Sequence, residues 1–270
     1  MLRNEGDRLA KVVVSRPCNA YFDPGTHKAN NITEVADRDE TQRQYDRLTS
    51  VMKAFGAEVI DVPELPGHPN SVFTRDVSLC TPRGYIKLRM GIAGRRGEEE
   101  WISQALTSLG EPCVGGITEP GTVEGGDVIL VGTVAFVGLS RRTNSEGAKL
   151  LASFLVDMGY EVREIEVPEQ HLHLGGAMSA IGPERLLCCE GVVPKQMLAG
   201  FDVIEVPLRG PSTGNVICLG ENELIANVAE NADAIGELER HGVVVHAIDL
   251  SEFRKGAGGP TCMVLPVERG

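Results

Sequence analysis

The stretch GAEVIDVP at 56–63 returns as GFDVIEVP at 200–207: a glycine, a short apolar strand, an acidic residue and a proline. Three more glycines, Gly110, Gly159 and Gly242, begin related stretches, so the pattern occurs five times at spacings of roughly 40 to 55 residues. Self-similarity of this period is typical of proteins assembled from repeated structural modules.

The residues before these glycines define the rest of the module. A helical stretch precedes most of them, so each glycine is predicted to end a helix. The clearest helix runs from Asp37 to Phe55 and places Tyr45, Leu48 and Met52 on one face. A second helix is predicted at 145–158. Apolar strands precede the helices, at 11–14, 85–88, 134–138, 185–188 and 223–226.

Strand, helix, glycine and strand, repeated five times, predict an α/β fold in which five αβ modules close into a ring around a central cavity. No linker or low-complexity tract interrupts the sequence, so residues 1–270 are predicted to form a single domain. An open α/β sheet with a coincidental period is the alternative.

Composition narrows the class of protein. The chain has 270 residues and a net charge of −12, which argues against nucleic acid or an anionic membrane as partner. No apolar run approaches the length of a membrane span, and the first residues lack an apolar signal region. The seven cysteines are scattered, without a Cys-x-x-Cys pair, so neither a disulfide framework nor a structural zinc site is indicated. We therefore expect a cytoplasmic protein without metal or cofactor, and a homo-oligomer is possible.

Four segments next to turns carry chemically reactive side chains. Asp76 is the last residue of the segment 70–76, which precedes an apolar strand. Glu124 and Asp127 flank a Gly-Gly turn. His171 and His173 are predicted to share one face of a short strand. Cys262 follows Gly-Gly-Pro and precedes an apolar strand. Singly, each residue could be a turn cap or a core residue. In a ring of modules, however, the inner strand ends meet, so these side chains are predicted to converge there.

These segments carry a family resemblance. EGGD at 124–127, FVGLSRRTN at 136–144 and His171-Leu172 resemble the dimethylargininase pattern, whereas NSVFTRD at 70–76 and GGPTCM at 258–263 are closer to arginine deiminase. Over nearly its whole length the chain resembles the guanidino-group modifying superfamily, which has the five-bladed αβ propeller (pentein) fold. The superfamily contains dimethylarginine dimethylaminohydrolases, arginine deiminases and amidinotransferases. The compact length favours the first, because arginine deiminases carry an additional helical insertion.

The resemblance implies a role for each reactive residue. Cys262, as thiolate, would attack the guanidino carbon and form a covalent thiouronium intermediate. His171 would protonate the departing amine and then activate water. Glu124 would bond the guanidinium and orient His171, while Asp76 would hold the guanidinium.

The resemblance also implies contacts to the rest of a small guanidino amino-acid substrate. Asn70, Arg95 and Arg142 match residues that bind the amino-acid end, with Arg96 and Arg141 as alternatives to the two arginines; His173 and Asp127 complete the expected binding set. Two residues after the catalytic histidine, deiminases have aspartate and dimethylargininases lysine. With His171 as that histidine, His173 stands at this position and disfavours unmodified arginine.

The implied reaction is hydrolysis of a guanidino C–N bond of an Nω-methylated arginine to citrulline and an amine. Arginine deimination and amidino transfer are alternatives within the same fold. From other classes, a metallohydrolase built on His171-x-His173 with Asp76 or Asp127, and a non-catalytic binding protein, stay open. The polar segment 23–31 is a candidate lid, or an ordinary surface loop.

Overall fold

Five three-stranded sheets form the framework of the protein. The computed structural model describes residues 1–23, 25, 28–220 and 222–270. The strands are β1 (Leu9–Ser15), β2 (Glu58–Val62), β3 (Ser78–Thr81), β4 (Gly84–Lys87), β5 (Cys113–Gly116), β6 (Val128–Val131), β7 (Val134–Leu139), β8 (Glu161–Glu166), β9 (Met178–Gly182), β10 (Arg185–Cys189), β11 (Asp202–Val206), β12 (Val216–Gly220), β13 (Glu223–Asn227), β14 (Val244–Ile248) and β15 (Leu265–Arg269). The α-helices are α1 (Arg38–Phe55), α2 (Glu98–Ser108), α3 (Ser145–Asp157), α4 (Ala232–Arg240) and α5 (Ser251–Arg254).

Each sheet repeats one topology. An antiparallel pair, such as β6 and β7, is followed by a crossover and a third strand parallel to the second, such as β8. The first strands of the modules pack against one another, as β9 does on β12 and β15 on β3, so they line the centre of the ring. The predicted ring of five αβ modules is confirmed. The sequence period had identified the middle and last strand of each module. The structure shows that every module also has an inner strand, one of which is the apolar strand expected after Cys262.

The two ends of the chain close the ring. β15 pairs antiparallel with β1, with Val13 opposite Leu265, and β1 pairs in parallel with β2. The first module is therefore built from both ends of the sequence. This pairing fixes the segment that carries Cys262, immediately before β15, at the centre of the ring.

The repeat glycines end their crossovers as predicted. Gly56, Gly110, Gly159, Gly200 and Gly242 all have φ between 77° and 105°, a left-handed conformation that favours glycine. In the fourth module the crossover is a 3₁₀ turn at Lys195–Leu198, not an α-helix. At the other end of α1, the side chain of Asp37 accepts a hydrogen bond from the Glu40 amide, which explains why this helix begins there.

Short turns before the inner strands bring the reactive segments together. One-turn 3₁₀ helices lie at Thr74–Asp76, Gly125–Asp127, Leu174–Gly176 and Thr261–Met263, and a further turn at 210–215 occupies the same place in the fifth module. Neighbouring turns pack against each other at one end of the ring. No helix in the described part of the chain has the length and apolarity needed to cross a membrane.

Candidate active site

The packed turns surround a cavity of about 320 Å³ at one end of the ring. Its wall includes Cys262 and His173, together with Gly126, Gly175 and Asn215. Beside it, ligand atoms of Asp76, Glu124 and His173 all lie within 4.8 Å of one another, and all three residues are buried. The convergence of carboxylates, histidine and cysteine expected from the repeat pattern is therefore present in the structure.

His173 and Glu124 form a buried ion pair. The Nε2 atom of His173 lies 2.8 Å from Oε2 of Glu124. The other carboxylate oxygen, Oε1, accepts hydrogen bonds from the Gly91 amide at 3.0 Å and from Nη1 of Arg142 at 3.2 Å. Glu124 is thus held by three donors and in turn fixes the orientation of the His173 ring.

Charge stabilises both partners in their ionised forms. Burial by itself raises the pKa of Glu124, but the hydrogen bond and charge of His173, with Arg95 and Arg142, lower it to about 2. Burial likewise disfavours a charged His173, yet Asp76, Asp127 and Glu124 together raise the pKa of its ring to about 9. At neutral pH these charges favour the imidazolium form of His173, which can donate a proton.

His171 occupies a different place from the one expected. Its Nδ1 atom lies 2.9 Å from the Pro211 carbonyl oxygen, and Nε2 is buried without a hydrogen-bond partner among the described residues. His171 lines a separate groove beside the start of α3, whereas His173 lines the cavity with Cys262. Residues 171–173 form a bend and not a strand, so the two rings do not share a face. The geometry thus brings the second histidine, not the first, to Glu124.

Cys262 sits in a loop that is fixed by its neighbours. The amide and hydroxyl of Thr261 both donate to Oδ1 of Asn215, at 2.9 and 3.0 Å, and the Cys262 amide donates to the Gly259 carbonyl at 3.2 Å. A Cβ atom on Gly258 would lie only 2.1 Å from the ring of Phe73, so this loop requires glycine there. Sequence reasoning missed Asn215. Its position in the fifth copy of the turn, where other copies carry reactive residues, was the available signal.

The surroundings of Cys262 favour the protonated thiol. Burial and the negative charge of Asp76 raise its pKa to about 11, against the opposing effect of a backbone hydrogen bond from Gly259 and of the charges of Arg95 and Arg75. Formation of the nucleophilic thiolate therefore needs an additional positive charge close to the sulfur.

Asp76 presents one oxygen to the site. Its Oδ2 accepts a 2.6 Å bond from Nη1 of Arg95, while Oδ1 is buried and has no partner among the residues described. Arg95 also donates to the Asn70 and Phe73 carbonyls and to Glu98. Arg95 is therefore part of the wall behind Asp76, and its guanidinium is already bound on all three nitrogens.

Asn70 and Asp127 make contacts within the protein. Nδ2 of Asn70 donates to the Asn30 carbonyl at 2.8 Å, which ties this segment to the candidate lid. Of that candidate, residues 24, 26 and 27 lie outside the described part of the chain. The carboxylate of Asp127 accepts bonds from the Ser140 and Thr143 hydroxyls and from the Leu174 amide, and burial raises its pKa. Through these hydrogen bonds Asp127 connects neighbouring turns beneath the cavity.

At Gly126 the backbone comes so close to His173 and Asp76 that there is no space for a side chain. A Cβ atom there would lie 2.6 Å from Nδ1 of His173 and 3.1 Å from Oδ1 of Asp76. Gly126→Ala is expected to displace the histidine and lower kcat/KM about 100-fold, since misplacement of about 1 Å has effects of that size. Gly236→Ala, in α4, is the matched control because its added Cβ meets nothing within 4 Å. Unchanged activity in the first variant, with folding verified by circular dichroism, would contradict this placement of His173.

The cluster of Asp76, Glu124 and His173 has metal-ligand residue types, and it replaces the expected His171-x-His173 pair as the candidate for a metal. Its surroundings oppose a cation. Nη1 of Arg95 lies 2.6 Å from Asp76, Nη1 of Arg142 lies 3.2 Å from Glu124, and the coordinating nitrogen of His173 is bonded to Glu124. A divalent ion would be repelled by these two guanidinium charges and would have to break the His173–Glu124 bond, so the cluster fits an organic cation in hydrogen-bonding contact better than a metal.

Comparison with known proteins identifies the family of the chain. The profile of a family described as "N,N dimethylarginine dimethylhydrolase, eukaryotic" matches residues 16–269. The chain belongs to the dimethylarginine dimethylaminohydrolase family. The resemblance stated from the motifs is therefore confirmed, and a family member of this kind is a hydrolase acting on linear amidines.

Individual relatives support the same assignment. The N(G),N(G)-dimethylarginine dimethylaminohydrolase of Pseudomonas aeruginosa is 32% identical over 222 residues, 82% of this chain and 86% of the relative. The solved structure of a cysteine-to-serine variant of the Pseudomonas aeruginosa enzyme, complexed with citrulline, has a TM-score of 0.84 and 28% identity over 96% of this chain and 99% of the other. The amidinotransferase SxtG from Microseira wollei shares the fold, with a TM-score of 0.81 at 19% identity, covering 99% of this chain and 96% of that one.

Proposed function

We propose that the protein hydrolyses asymmetric dimethylarginine to citrulline and dimethylamine, with Cys262 as nucleophile and His173 as the acid–base residue. The observation that carries the proposal is the 2.8 Å His173–Glu124 pair in the cavity wall that also contains Cys262. A cysteine, a histidine and a carboxylate that orients the histidine are the groups that nucleophilic attack and proton transfer require.

Substrate binding would activate the nucleophile. The unpartnered Oδ1 of Asp76 accepts an N–H group of the guanidinium and directs the carbon toward the sulfur. The cation then replaces the missing positive charge beside Cys262 and lowers the thiol pKa from about 11, so that the thiolate forms in the complex.

The chemical steps start from the thiolate of Cys262 and the imidazolium of His173. The thiolate adds to the guanidino carbon, and a C–S bond forms. The C–N bond to the dimethylamino group breaks, its electron pair stays on nitrogen, and this nitrogen takes the proton of the His173 imidazolium. Neutral His173 next removes a proton from water. The resulting hydroxide adds to the carbon, and cleavage of the C–S bond releases citrulline and regenerates the thiolate.

The hydrogen-bond acceptors of the site favour a dimethylated nitrogen. With His173 as the acid–base residue, the position two residues later is Gly175, which lies in the cavity wall next to Gly176. Neither glycine supplies a carboxylate that could accept an additional N–H group. Dimethylation removes two of the five N–H donors of arginine, which suits a site with a single unpartnered carboxylate oxygen.

The amino-acid end of the substrate needs a different set of arginines from the one expected. Arg95 is fully engaged behind Asp76, whereas Arg141 and Arg254 line the cavity. We assign the substrate carboxylate to Arg141, one of the alternatives raised by the sequence. Arg142 stays a proposed second contact, although its Nη1 already donates to Glu124.

The pH dependence tests the role of His173. A general acid must be protonated before it can act, and the pKa of His173 in the empty site is raised to about 9. We expect kcat, which reports the complex in which the thiolate has already formed, to fall as pH rises through a value closer to 9 than to the ordinary histidine value near 6.5. Steady-state rates between pH 6 and 10.5 measure this; an alkaline limb at about pH 6.5 would contradict an ionised Glu124–His173 pair.

Product analysis decides the substrate. The protein is incubated, with chelator present, separately with arginine and with asymmetric dimethylarginine, and the products are identified by mass spectrometry. Citrulline with dimethylamine from the second substrate is the expected result. Citrulline from arginine alone would show a deiminase, and ornithine would show transfer or removal of the whole amidino group. Turnover lost with chelator and restored by zinc would instead support the metallohydrolase.

A further inference from the structure

A buried line of charges leads from the Asp76 carboxylate away from the cavity. Nη1 of Arg95 binds Oδ2 of Asp76 at 2.6 Å, and the opposite edge of the same guanidinium binds Glu98, with Nε at 2.9 Å and Nη2 at 2.8 Å from Oε2. Beyond Glu98 lies His68, with Nδ1 at 3.7 Å from Oε1. Asp76, Arg95 and Glu98 are at most 3% exposed.

The outer end of this line is incomplete. Oε1 of Glu98 and Nδ1 of His68 are both buried atoms without a hydrogen-bond partner among the residues described. Their 3.7 Å separation exceeds hydrogen-bond distance. A fully buried carboxylate oxygen with no donor is costly, and the His68 side chain, about one quarter exposed, brings a ring nitrogen within 3.7 Å of it.

We propose that Glu98 is a positioning residue for the Asp76 carboxylate, acting through Arg95, and that His68 adjusts it from the surface by binding the free Glu98 oxygen. One guanidinium is shared between two carboxylates, so whatever weakens its attraction to Glu98 strengthens its hold on Asp76. Asp76 then offers less negative charge to a guanidinium substrate and to the Cys262 thiol. The substrate part of this proposal rests on the proposed function, while the part concerning Cys262 does not.

The charged groups that act on this line come from two neighbouring modules. Glu98 begins α2, Arg95 ends the 3₁₀ turn Ala93–Arg95, and Asp76 ends the turn Thr74–Asp76. From the neighbouring module, Glu124 also acts on the charge of Arg95, and Asp76 acts on that of His173. His68 lies at the Glu98 end of the line, which is opposite to the end that faces the substrate.

The first test replaces Glu98 by glutamine, which keeps the shape and removes the charge. The pH dependence of Cys262 alkylation by iodoacetamide, resolved by peptide mass spectrometry, reports the thiol pKa without any substrate. We expect this pKa to fall by about one unit, and KM for dimethylarginine to rise about tenfold with kcat within about threefold. Glu100→Gln on the same helix is the control, because its carboxylate is exposed and pairs with Lys87.

A second variant keeps the proposal testable if Glu98→Gln does not fold. His68→Leu removes the outer donor at a partly exposed position. At neutral pH, Cys262 of the unaltered protein should be alkylated about threefold faster than in this variant, because the donor at Glu98 would be gone and Arg95 would hold Asp76 less tightly. Equal rates in the two proteins, or a Glu98→Gln protein with lowered thermal stability but unchanged Cys262 pKa and KM, would show that the line only supports the structure. A Cys262 pKa shift without turnover of either guanidino substrate would leave this inference standing and overturn the proposed function.

Discussion

Replacing His173 by alanine is expected to lower kcat about 100- to 10,000-fold, the range that general acid–base catalysis contributes. The ring that Glu124 holds at 2.8 Å, with a pKa of about 9, would be gone, and the departing amine would have no positioned acid. Steady-state kinetics with asymmetric dimethylarginine measure the loss. A Cys262 alkylation profile on the same protein shows whether the cavity is still formed.

The matched variant is His171→Ala, two residues away. His171 is 2% exposed and its contact to the Pro211 carbonyl joins two turns, so this variant is expected to lose about 1 kcal/mol of unfolding free energy. Its kcat should stay within about threefold of the unaltered protein, because its ring does not line the cavity. The reverse outcome, with His171→Ala inactive and His173→Ala active, would restore the role that the family resemblance had assigned to His171.

Replacing Cys262 by serine is expected to reduce kcat at least about 10,000-fold, since removal of a covalent nucleophile has effects of this order or larger. A serine hydroxyl in this site would face the same burial and the same Asp76 charge that raise the pKa of the thiol to about 11. No base in the cavity could then supply an alkoxide at neutral pH. The assay is single-turnover formation of citrulline.

Binding should survive this change. The loop is held through Thr261 and Asn215, not through the sulfur, so Cys262→Ser should bind dimethylarginine with an affinity close to that of the unaltered protein. Calorimetric titration of the serine variant tests this. Cys113→Ser, at an exposed cysteine, is the control for the loss of a thiol and should keep full activity. Citrulline formation by the serine variant at the unaltered rate would exclude a covalent mechanism at Cys262.

Much of the architecture was readable from local sequence. The repeat glycines at the ends of the crossovers, and the strands before and after them, follow from backbone chemistry that one module contains by itself. The inner strands were harder to identify as a set. Strands such as β3 and β6 are buried on both faces, so they lack the alternation that marks a half-buried strand. Their common role becomes apparent only when five of them pack around one axis.

The two histidines show what a local sequence pattern cannot predict. His171 and His173 are the same residue type, two positions apart, and the motif His-Leu occurs at both. The bend at 171–173 turns one ring toward Pro211 and the other toward Glu124, and both of these partners come from other modules. The choice therefore depends on contacts that span 40 and 49 residues of sequence.

Arginine roles were undetermined by sequence for the same reason. Arg95 matched a substrate-binding position, yet the tertiary structure surrounds its guanidinium with Asp76, Glu98 and two backbone carbonyls, which leaves it no free edge. By itself the sequence determined the module, the number of modules, the family and the reactive residue types. Only the tertiary structure decided which of those residues meet, because in a ring each neighbouring module contributes one side of the site, and charge pairing between modules selects the partners.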